Sequence, residues 1–435
     1  MIKKILLYAG SFLAAIILLW SALILTSLIP NEKLFDNLLE SALQMINAEP
    51  FPQTGGRNTI TDNYADAILL NIIWNIDSSA PVVSSLDTKY FDGNDGITDY
   101  GENVGLYAAL YGIEPNTDYS RYWHGSAVFI RPLLTITDLS GIRITGAVAA
   151  VLLLAVSCAM LLKRRLYLEA AALPLSFICV QAWNIRLSLE YHPAVLVALA
   201  ILPFFLVLEK KGDTVLIILS IISGTMIAFF DFLTAETLTI LIPLITVMSV
   251  RYSEKRFSGA KRETITAAKC SVGWLFAYGA AYLVKWTVAS AVTGENKFIA
   301  ALSSAEERIN GSAQIIPPIP QIFAAPLTNI STMMGGLERD DYSLAVAGIL
   351  LMAAVAGEAI FLSRHDQNAK KYLFVVFILG AVPYLRYIVL NNHSYLHDFF
   401  TYRAQAAAVL ALITAIGASL RDPEKKNKKG GSHGR

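Results

Sequence analysis

The sequence has few charged residues and few cysteines. Only 16% of its 435 residues are charged, whereas 55% are hydrophobic, and the mean hydropathy is +0.51. This composition excludes an ordinary soluble enzyme and is typical of a membrane protein with several spans. The net charge of +1 indicates no nucleic-acid partner. The cysteines, Cys158, Cys179 and Cys270, lie in or beside apolar runs, so we expect neither a disulfide framework nor a zinc site.

The N-terminus lacks the small-residue cleavage pattern of a signal peptide. The letters MIKK are followed by an apolar run that ends at Ile29, which is too long for a signal-peptide core. We therefore interpret it as a retained first helix.

Ten apolar runs have a length near the ~20 residues that cross a bilayer. They lie at 5–29, 142–162, 166–184, 193–208, 213–230, 235–250, 268–291, 343–363, 372–390 and 403–420. The sequence thus predicts an all-α polytopic membrane protein with about ten transmembrane helices. Its parts are a first helix at 1–30, a polar loop at 31–140, a transmembrane bundle at 141–420 and a basic tail at 421–435.

The basic residues predict the orientation of the helices. If both termini are cytoplasmic, the inner segments hold 22 of the 35 Lys and Arg residues, and the longer outer segments hold 12. The positive-inside rule favours this arrangement, and the compact loops indicate a bacterial plasma membrane. The loop at 31–140 is then extracytoplasmic, together with shorter loops near 231–236, 292–342 and 391–403.

The first loop contains two predicted helices. Leu34–Ile46 has an amphipathic pattern typical of a helix at the membrane surface. The spacing of the apolar residues at 65–76 predicts a second helix with one apolar face. Asp62 and Asp66 are four residues apart at its start. One interpretation is that this segment stabilises the N-terminus of the helix, with Asn63 as the N-cap and Asp66 in a capping box. The other is that Asp62 or Asp66 is a catalytic carboxylate.

The end of the same loop reads YWHG and then IRPLL. Trp123 and His124 there are either interface anchors or, in the case of Trp123, a surface on which a sugar ring stacks. Arg131 precedes a proline and is a candidate phosphate ligand.

Polar residues at the outer ends of the later helices extend the set of candidates. Asp231 and Glu236 lie between two apolar runs, where a carboxylate needs protein, water or an ion nearby, so we expect them to bind substrate or join a polar network. His192 opens another helix at the same depth.

The last loop, NHSYLHDFFTYR, is the densest cluster. His393 and His397 have i, i+4 spacing, which suits either a metal pair or a pair of hydrogen-bond donors. Arg403 and Arg386 flank the loop and form either a phosphate clamp or surface anchors. A divalent metal fits this loop but is not required by the sequence.

The segments TDNYADAILLN, YWHG with IRPLL, FFDFLTAE and NHSYLHDFFTYR, together with the order of helices and loops, resemble the GT-C class of integral-membrane glycosyltransferases. This class includes protein mannosyltransferases and the aminoarabinose transferases of lipid A. The resemblance covers the whole architecture but no single tight signature. In better-known members, the catalytic acid lies closer to the first helix than Asp62 or Asp66 does here.

The resemblance implies an enzyme that transfers a sugar, with inversion, from a polyprenyl-phosphate donor in the membrane lipid to an extracytoplasmic acceptor. Asp66 or Asp62 would act as general base. Arg403, Arg386 and Arg131 would balance the charge of the lipid phosphate, with His393 and His397 donating hydrogen bonds.

Three alternatives stay open. A transporter or flippase would use Asp231, Lys285 and Glu358 along its path, although the two halves of the chain show no internal repeat. A polysaccharide polymerase or ligase would share the lipid-linked substrate. A noncatalytic assembly protein would use the first loop as an interaction module.

Overall fold

The computed structural model describes residues 2–94, 101–311 and 317–420 and is almost entirely helical. Eight helical segments in this part of the chain are long and apolar enough to cross a membrane. They are Ile2–Ser27, Leu139–Lys163, Leu189–Lys211, Asp213–Phe230, Ala260–Thr293, Ser343–Leu362, Gln367–Val389 and Asp398–Ser419. The chain therefore has the architecture of an α-helical multi-pass membrane protein.

Every predicted span coincides with a helix. The apolar helices are α1 (Ile2–Ser27), α7 (Leu139–Lys163), α8 (Tyr167–Cys179), α9 (His192–Leu208), α10 (Asp213–Phe230), α11 (Leu238–Ser253), α12 (Ala260–Thr293), α15 (Ser343–Leu362), α16 (Gln367–Val389) and α19 (Ala406–Ser419). Two of them, α8 and α11, are shorter than a full crossing, whereas α9 and α19 reach that length together with the helical turns that flank them. Each of the ten predicted spans therefore corresponds to an apolar helix. In the described residues, eight segments have both the length and the composition of a membrane span. The predicted tail at 421–435 lies outside the described residues.

The remaining helices lie between these spans. They are α2 (Phe35–Ile46), α3 (Asn63–Trp74), α4 (Pro81–Ser84), α5 (Glu102–Leu110), α6 (Ala127–Leu134), α13 (Lys297–Asn310), α14 (Gln321–Met333), α17 (Asn391–Leu396) and α18 (Asp398–Thr401). Helices α2 and α3 confirm the two helices predicted in the first loop. Two short strands, β1 (Lys89–Tyr90) and β2 (Thr117–Asp118), pair in antiparallel orientation. Lys89 lies opposite Asp118, and Tyr90 lies opposite Thr117.

The bundle is held by close packing and by polar contacts between helices. At Gly224 of α10, a Cβ atom would overlap the carbonyl of Trp274, so α10 and α12 approach more closely than a larger residue would allow. The Trp274 indole N–H donates to the Thr239 hydroxyl of α11 (2.9 Å), and Ser223 donates to the Thr239 carbonyl (2.9 Å). These bonds satisfy polar groups that are buried within the bundle.

The segments that are polar in sequence meet at one end of the bundle, which we call the loop end. Three of them are fastened together at Asp398, whose carboxylate is fully buried. It accepts hydrogen bonds from Arg57 of the first loop (Nε to Oδ2, 2.6 Å) and from the Thr332 hydroxyl at the end of α14. Because the donors are far apart in sequence, one carboxylate fixes their relative positions.

The opposite end carries a network of ion pairs. Glu209 accepts from Arg164 (3.1 Å) and Arg256, and Glu254 pairs with Arg164 (2.6 Å). Arg251 pairs with Glu263 (2.7 Å). Acidic side chains at this end are therefore largely engaged by arginines.

Arg131 is completely buried beneath the start of the first loop. Its guanidinium donates to the carbonyls of Thr26 (3.1 Å), Ile73 (2.6 Å) and Ile29, and to the side chain of Asn31 (3.0 Å). These acceptors lie at the ends of α1 and α3 and between them, where helix carbonyls have no partner within the helix. The expected phosphate ligand is instead a structural centre that joins α1, α3 and α6.

We expect Arg131→Met to lower the free energy of unfolding by about 3 kcal/mol or more, because several buried carbonyls lose a charged donor. Lys33→Met is the matched control, since Lys33 is exposed and lies beside the same helix end. Unfolding midpoints of the two purified variants in one detergent measure the difference. Equal midpoints would contradict the structural role of Arg131.

Candidate functional site

A polar cavity of about 130 Å³ lies at the loop end, between the first loop and the ends of the spans. Its walls combine acidic, basic and aromatic side chains from six separate stretches of the chain. They are Phe51, Asp62, Tyr64, Ala65, Ile68, Leu69, Ile72, Tyr119, Tyr122, His124, Glu190, Phe232, Arg308, His393, His397 and Phe400.

Asp62 reaches the cavity because it caps α3. It precedes the first helical residue, and its Oδ1 accepts the N–H of Ala65 (2.8 Å), as an N-cap does. The predicted cap, Asn63, is instead the first residue of the helix. The side chain of Asp62 is buried, and burial, opposed by the Ala65 N–H, raises the pKa of this carboxyl to about 7. A carboxyl with that pKa exchanges protons near neutral pH.

Glu190 is the second acid in the cavity. Its backbone position is set by Ser188, which is extended (φ −160°, ψ 147°) and whose hydroxyl accepts the N–H of Glu190 (3.1 Å). In the described part of the chain, the Glu190 carboxylate makes no hydrogen bond and no ion pair. Two carboxyl groups, from the first loop and from the start of α9, therefore line one small space.

Arg308 supplies a positive charge to the same walls. It lies near the C-terminus of α13, donates to the Tyr122 hydroxyl and donates from Nη1 to the carbonyl of Ser304 (2.9 Å). Among the described residues it pairs with no carboxylate. The guanidinium is therefore held in place by neutral partners and is available to an anion in the cavity.

Three histidines complete the polar lining. His393 and His397 lie with ring centroids 4.8 Å apart, and His124 bonds through Nε2 to the Tyr119 carbonyl (3.0 Å). Burial lowers the pKa of His124 to about 3 and that of His397 to about 4, and it also lowers the pKa of His393. All three are thus neutral at pH 7 and can donate or accept a hydrogen bond without adding charge.

A second cavity, of about 330 Å³, is almost wholly apolar. It lies between α6, α7, α9 and α10, and we call it the apolar groove. Its lining is Ser126, Phe129, Ile130, Leu133, Ile142, Thr145, Gly146, Ala149, Leu153, Leu189, His192, Pro193, Leu196, Val197, Ala200, Met226 and Phe230. Among the residues that line the groove, His192 is the one with a titratable side chain. Its buried Nε2 has no hydrogen-bond partner in the described structure.

The polar cavity and the apolar groove share a thin partition. Three chain segments, 124–126, 189–192 and 230–232, each contribute residues to both spaces. The Gly125 N–H donates to the Phe229 carbonyl (2.9 Å), and a Cβ atom at Gly125 would overlap the Phe229 ring. The missing side chain at Gly125 thus lets the segment 124–126 contact Phe229, which directly precedes the segment 230–232.

Asp66 does not line the polar cavity. Its carboxylate has no exposed surface and is bound by Arg143 (Nε to Oδ2, 2.8 Å), the Ser188 hydroxyl (2.8 Å) and the Leu189 N–H (2.8 Å). These contacts fasten α3 to α7 and to the segment before α9. Of the two predicted acids, Asp62 lines the polar cavity, whereas Asp66 joins three parts of the fold.

The arginines expected to form a phosphate clamp are not in the cavity lining. Arg386 pairs with Glu236 (Nε to Oε1, 2.9 Å) and donates to the Ser394 hydroxyl (2.8 Å). Arg403 is buried against the ring of Tyr191 (4.3 Å), and its Nε and Nη2 have no hydrogen-bond partner among the described residues. Arg386 and Glu236 form one buried pair, whereas Arg403 is a buried cation that has no counterion among the described residues.

Two further candidates are part of the protein interior. Trp123 is fully buried, donates to the Ala281 carbonyl (3.0 Å) and packs against Trp20 and Phe229, so no sugar ring reaches it. Asp231 accepts the N–H (2.9 Å) and hydroxyl of Thr234, which forms a tight turn between α10 and α11. Neither side chain lines the polar cavity.

Across residues 2–94, 101–311 and 317–420, no group of three or more His, Cys, Asp and Glu side chains has the arrangement of a metal site. His393 and His397 are near each other, but Asp398 is directed to Arg57.

Sequence reasoning missed Arg308 and gave Glu190 no role. Arg308 lies in α13, whose sequence KFIAALSSAEERIN is amphipathic, and this pattern marks the segment as a helix rather than a plain loop. Glu190 lies two residues before the candidate His192, but its exposure to the cavity depends on the extended backbone at Ser188.

Comparison of this chain with protein-family models, with curated proteins and with solved structures gives no match.

We expect Asp66→Asn to lower the free energy of unfolding by about 3 kcal/mol, because it leaves Arg143 without its counterion in a site where that side chain is only 16% exposed. Asp62→Asn is the matched control: the amide oxygen still accepts the Ala65 N–H, so stability is retained. Denaturation of both variants in the same detergent gives the comparison. If Asp62→Asn is the more destabilised variant, the assignment of roles is reversed.

Proposed function

We propose that this protein is a membrane glycosyltransferase of the GT-C type, which transfers a sugar from a polyprenyl-phosphate donor to an acceptor hydroxyl. The observation that carries the proposal is the shared partition: a cavity with two acids and an arginine lies directly against a groove lined by apolar side chains. A lipid-linked sugar phosphate has the same two halves, one apolar and one polar and anionic.

In this proposal the polyprenyl chain occupies the apolar groove and the sugar occupies the polar cavity. The phosphate then lies at the partition, where His192 on the groove side and Arg308 on the cavity side provide nitrogen donors. The rings of Tyr119, Tyr122 and Phe232 offer apolar faces for the sugar.

Asp62 is the proposed general base, and Glu190 is the second candidate for that role. The acceptor oxygen attacks the anomeric carbon while the carboxylate takes the hydroxyl proton. The bond from that carbon to the phosphate oxygen breaks, and polyprenyl phosphate leaves with the bonding electron pair. Arg308 stabilises the charge on the leaving phosphate. A single displacement of this kind inverts the anomeric configuration.

We further propose that the loop end faces away from the cytoplasm, in a bacterial plasma membrane with both termini inside. The distribution of Lys and Arg supports this orientation. The acceptor is then an extracytoplasmic glycan, lipid or protein.

We expect Asp62→Asn to lower the rate of sugar transfer at least about 100-fold, the usual contribution of a general base. Asp77→Asn, an exposed change in the same loop, is the control and should keep full activity. Transfer of radiolabelled sugar from polyprenyl-phosphate hexoses and pentoses in reconstituted membranes is the measurement. Sugar transfer at the wild-type rate by both Asp62→Asn and Glu190→Gln would contradict the proposed mechanism. Movement of a lipid-linked sugar across the membrane without transfer would instead identify a flippase.

The pH dependence tests the same assignment. Because burial raises the pKa of Asp62 to about 7, the base is protonated and inactive at lower pH. The rate of transfer should therefore rise with pH up to about 7 and then level off. In Asp62→Asn, the residual rate of transfer should not show this rise with pH. A wild-type profile that is flat between pH 5 and 8 would be incompatible with Asp62 as the base.

The groove can be tested by filling it. Ala149→Trp places a large ring among the groove residues of α7, so we expect the KM for a long polyprenyl donor to rise at least tenfold, with little change for a short-chain analogue. Ala155→Trp lies on the same helix at an exposed position and is the matched control. Equal KM values for the two variants would exclude the apolar groove as the site of the lipid chain.

A further inference from the structure

The end opposite the loop end contains an open cavity of about 580 Å³. It lies between the first turns of α12, the start of α10 and the start of α16. Four basic side chains line it, three from α12 and one from α16, more than a hundred residues later in the chain. They are Lys261, Arg262, Lys269 and Lys371, and we call them the basic cluster.

The basic cluster is not neutralised within the part of the chain that the structure describes. None of its four side chains makes an ion pair or a hydrogen bond there. Asp213 is the one acid in the lining, and its carboxylate accepts the hydroxyl of Thr266 (3.1 Å). Glu263, in the first turn of α12, is bound by Arg251 (2.7 Å) and by the N–H of Ser258 (3.1 Å). The acids that are near are therefore used by other partners, and the cavity has a net positive charge.

The position of the cluster along α12 corresponds to the edge of a membrane. The helix has 34 residues and is about 50 Å long, which exceeds the ~30 Å hydrocarbon core. Its first ten residues are largely polar, and its apolar run begins near Lys269. If the apolar run of α12 spans the hydrocarbon core, the four cations lie at the level of the lipid headgroups.

Exposed apolar residues continue from the cations toward the middle of the membrane. One turn beyond Lys269, Val272 is 67% exposed, and one turn beyond Lys371, Phe374 is 56% exposed. Ile265 is also exposed within the cavity lining itself. A free phosphate ion would make no favourable contact with this apolar surface. A phospholipid would place its headgroup on the cations and its acyl chains on Val272 and Phe374.

We infer that this cavity binds the headgroup of an anionic phospholipid. Lysine and arginine near a membrane surface each contribute about fivefold to the affinity for anionic lipid. The first-turn N–H groups of α12 add donors that favour an anion at the same place. This site does not depend on the proposed transferase activity and can be measured without it.

The test uses the purified full chain in a neutral detergent, titrated with phosphatidylglycerol or with phosphatidylcholine and followed by native mass spectrometry. In the variant, all four residues of the basic cluster are changed to Gln. The control variant changes Lys3, Lys4, Lys163 and Lys211 to Gln, which removes the same charge from exposed positions at the same end. We expect the affinity for phosphatidylglycerol to fall at least tenfold in the cluster variant and about twofold or less in the control.

Three results would overturn the inference. One is equal phosphatidylglycerol binding by the wild type and the cluster variant, and another is an equal loss in both variants, which would mean that only total charge matters. The third is full competition by inorganic phosphate at the same concentration as the lipid, which would make free phosphate the ligand. Equal unfolding temperatures of all three proteins in phosphatidylcholine are required before the affinities are compared, so that a misfolded variant is not counted as support.

Discussion

The ion pair between Asp66 and Arg143 is the interaction on which the geometry of the loop end depends. It is formed where α3 of the first loop meets α7 of the bundle, and the same carboxylate holds Ser188 and Leu189 at the entry to α9. Since Asp62 lies one turn before Asp66, and Glu190 directly follows Leu189, this one contact brings both cavity acids into a common space. The pair is buried, so breaking it costs more than a surface ion pair would.

The acids at this end differ in whether an arginine binds them. Asp66, Glu236 and Asp398 each have an arginine within hydrogen-bond distance. Asp62 has a single backbone donor, and Glu190 has none in the described chain. Burying such carboxyl groups without a counterion lowers stability, which proteins tolerate mainly at functional sites.

Local patterns in the sequence identified the apolar helices but neither the site nor α13 and α14, which lie in the predicted loop at 292–342. Apolar runs and helical periodicity identified the ten apolar helices and also α2 and α3, because each pattern is complete within one segment. The choice between Asp62 and Asp66 depends on Arg143 and Ser188, which are 77 and 122 residues from Asp66. Likewise, Arg386 was expected to bind phosphate because it flanks the last loop, and no local pattern indicates its observed partner, Glu236, 150 residues away. Arg131 was misassigned for the same reason, since its acceptors are carbonyls that no sequence pattern marks.

The thin partition at Gly125 sets a length scale for any molecule that uses both cavities. The segments 124–126, 189–192 and 230–232 each line both the polar and the apolar space, so only a few residues lie between the two. A ligand that occupies both must change from apolar to polar within a few bonds, as a lipid phosphate ester does. A lipid with a long neutral spacer before its polar group would place that group beyond Arg308 and the acids. If the proposed lipid-linked sugar is the ligand, the partition requires its charge to begin within a few bonds of the apolar chain.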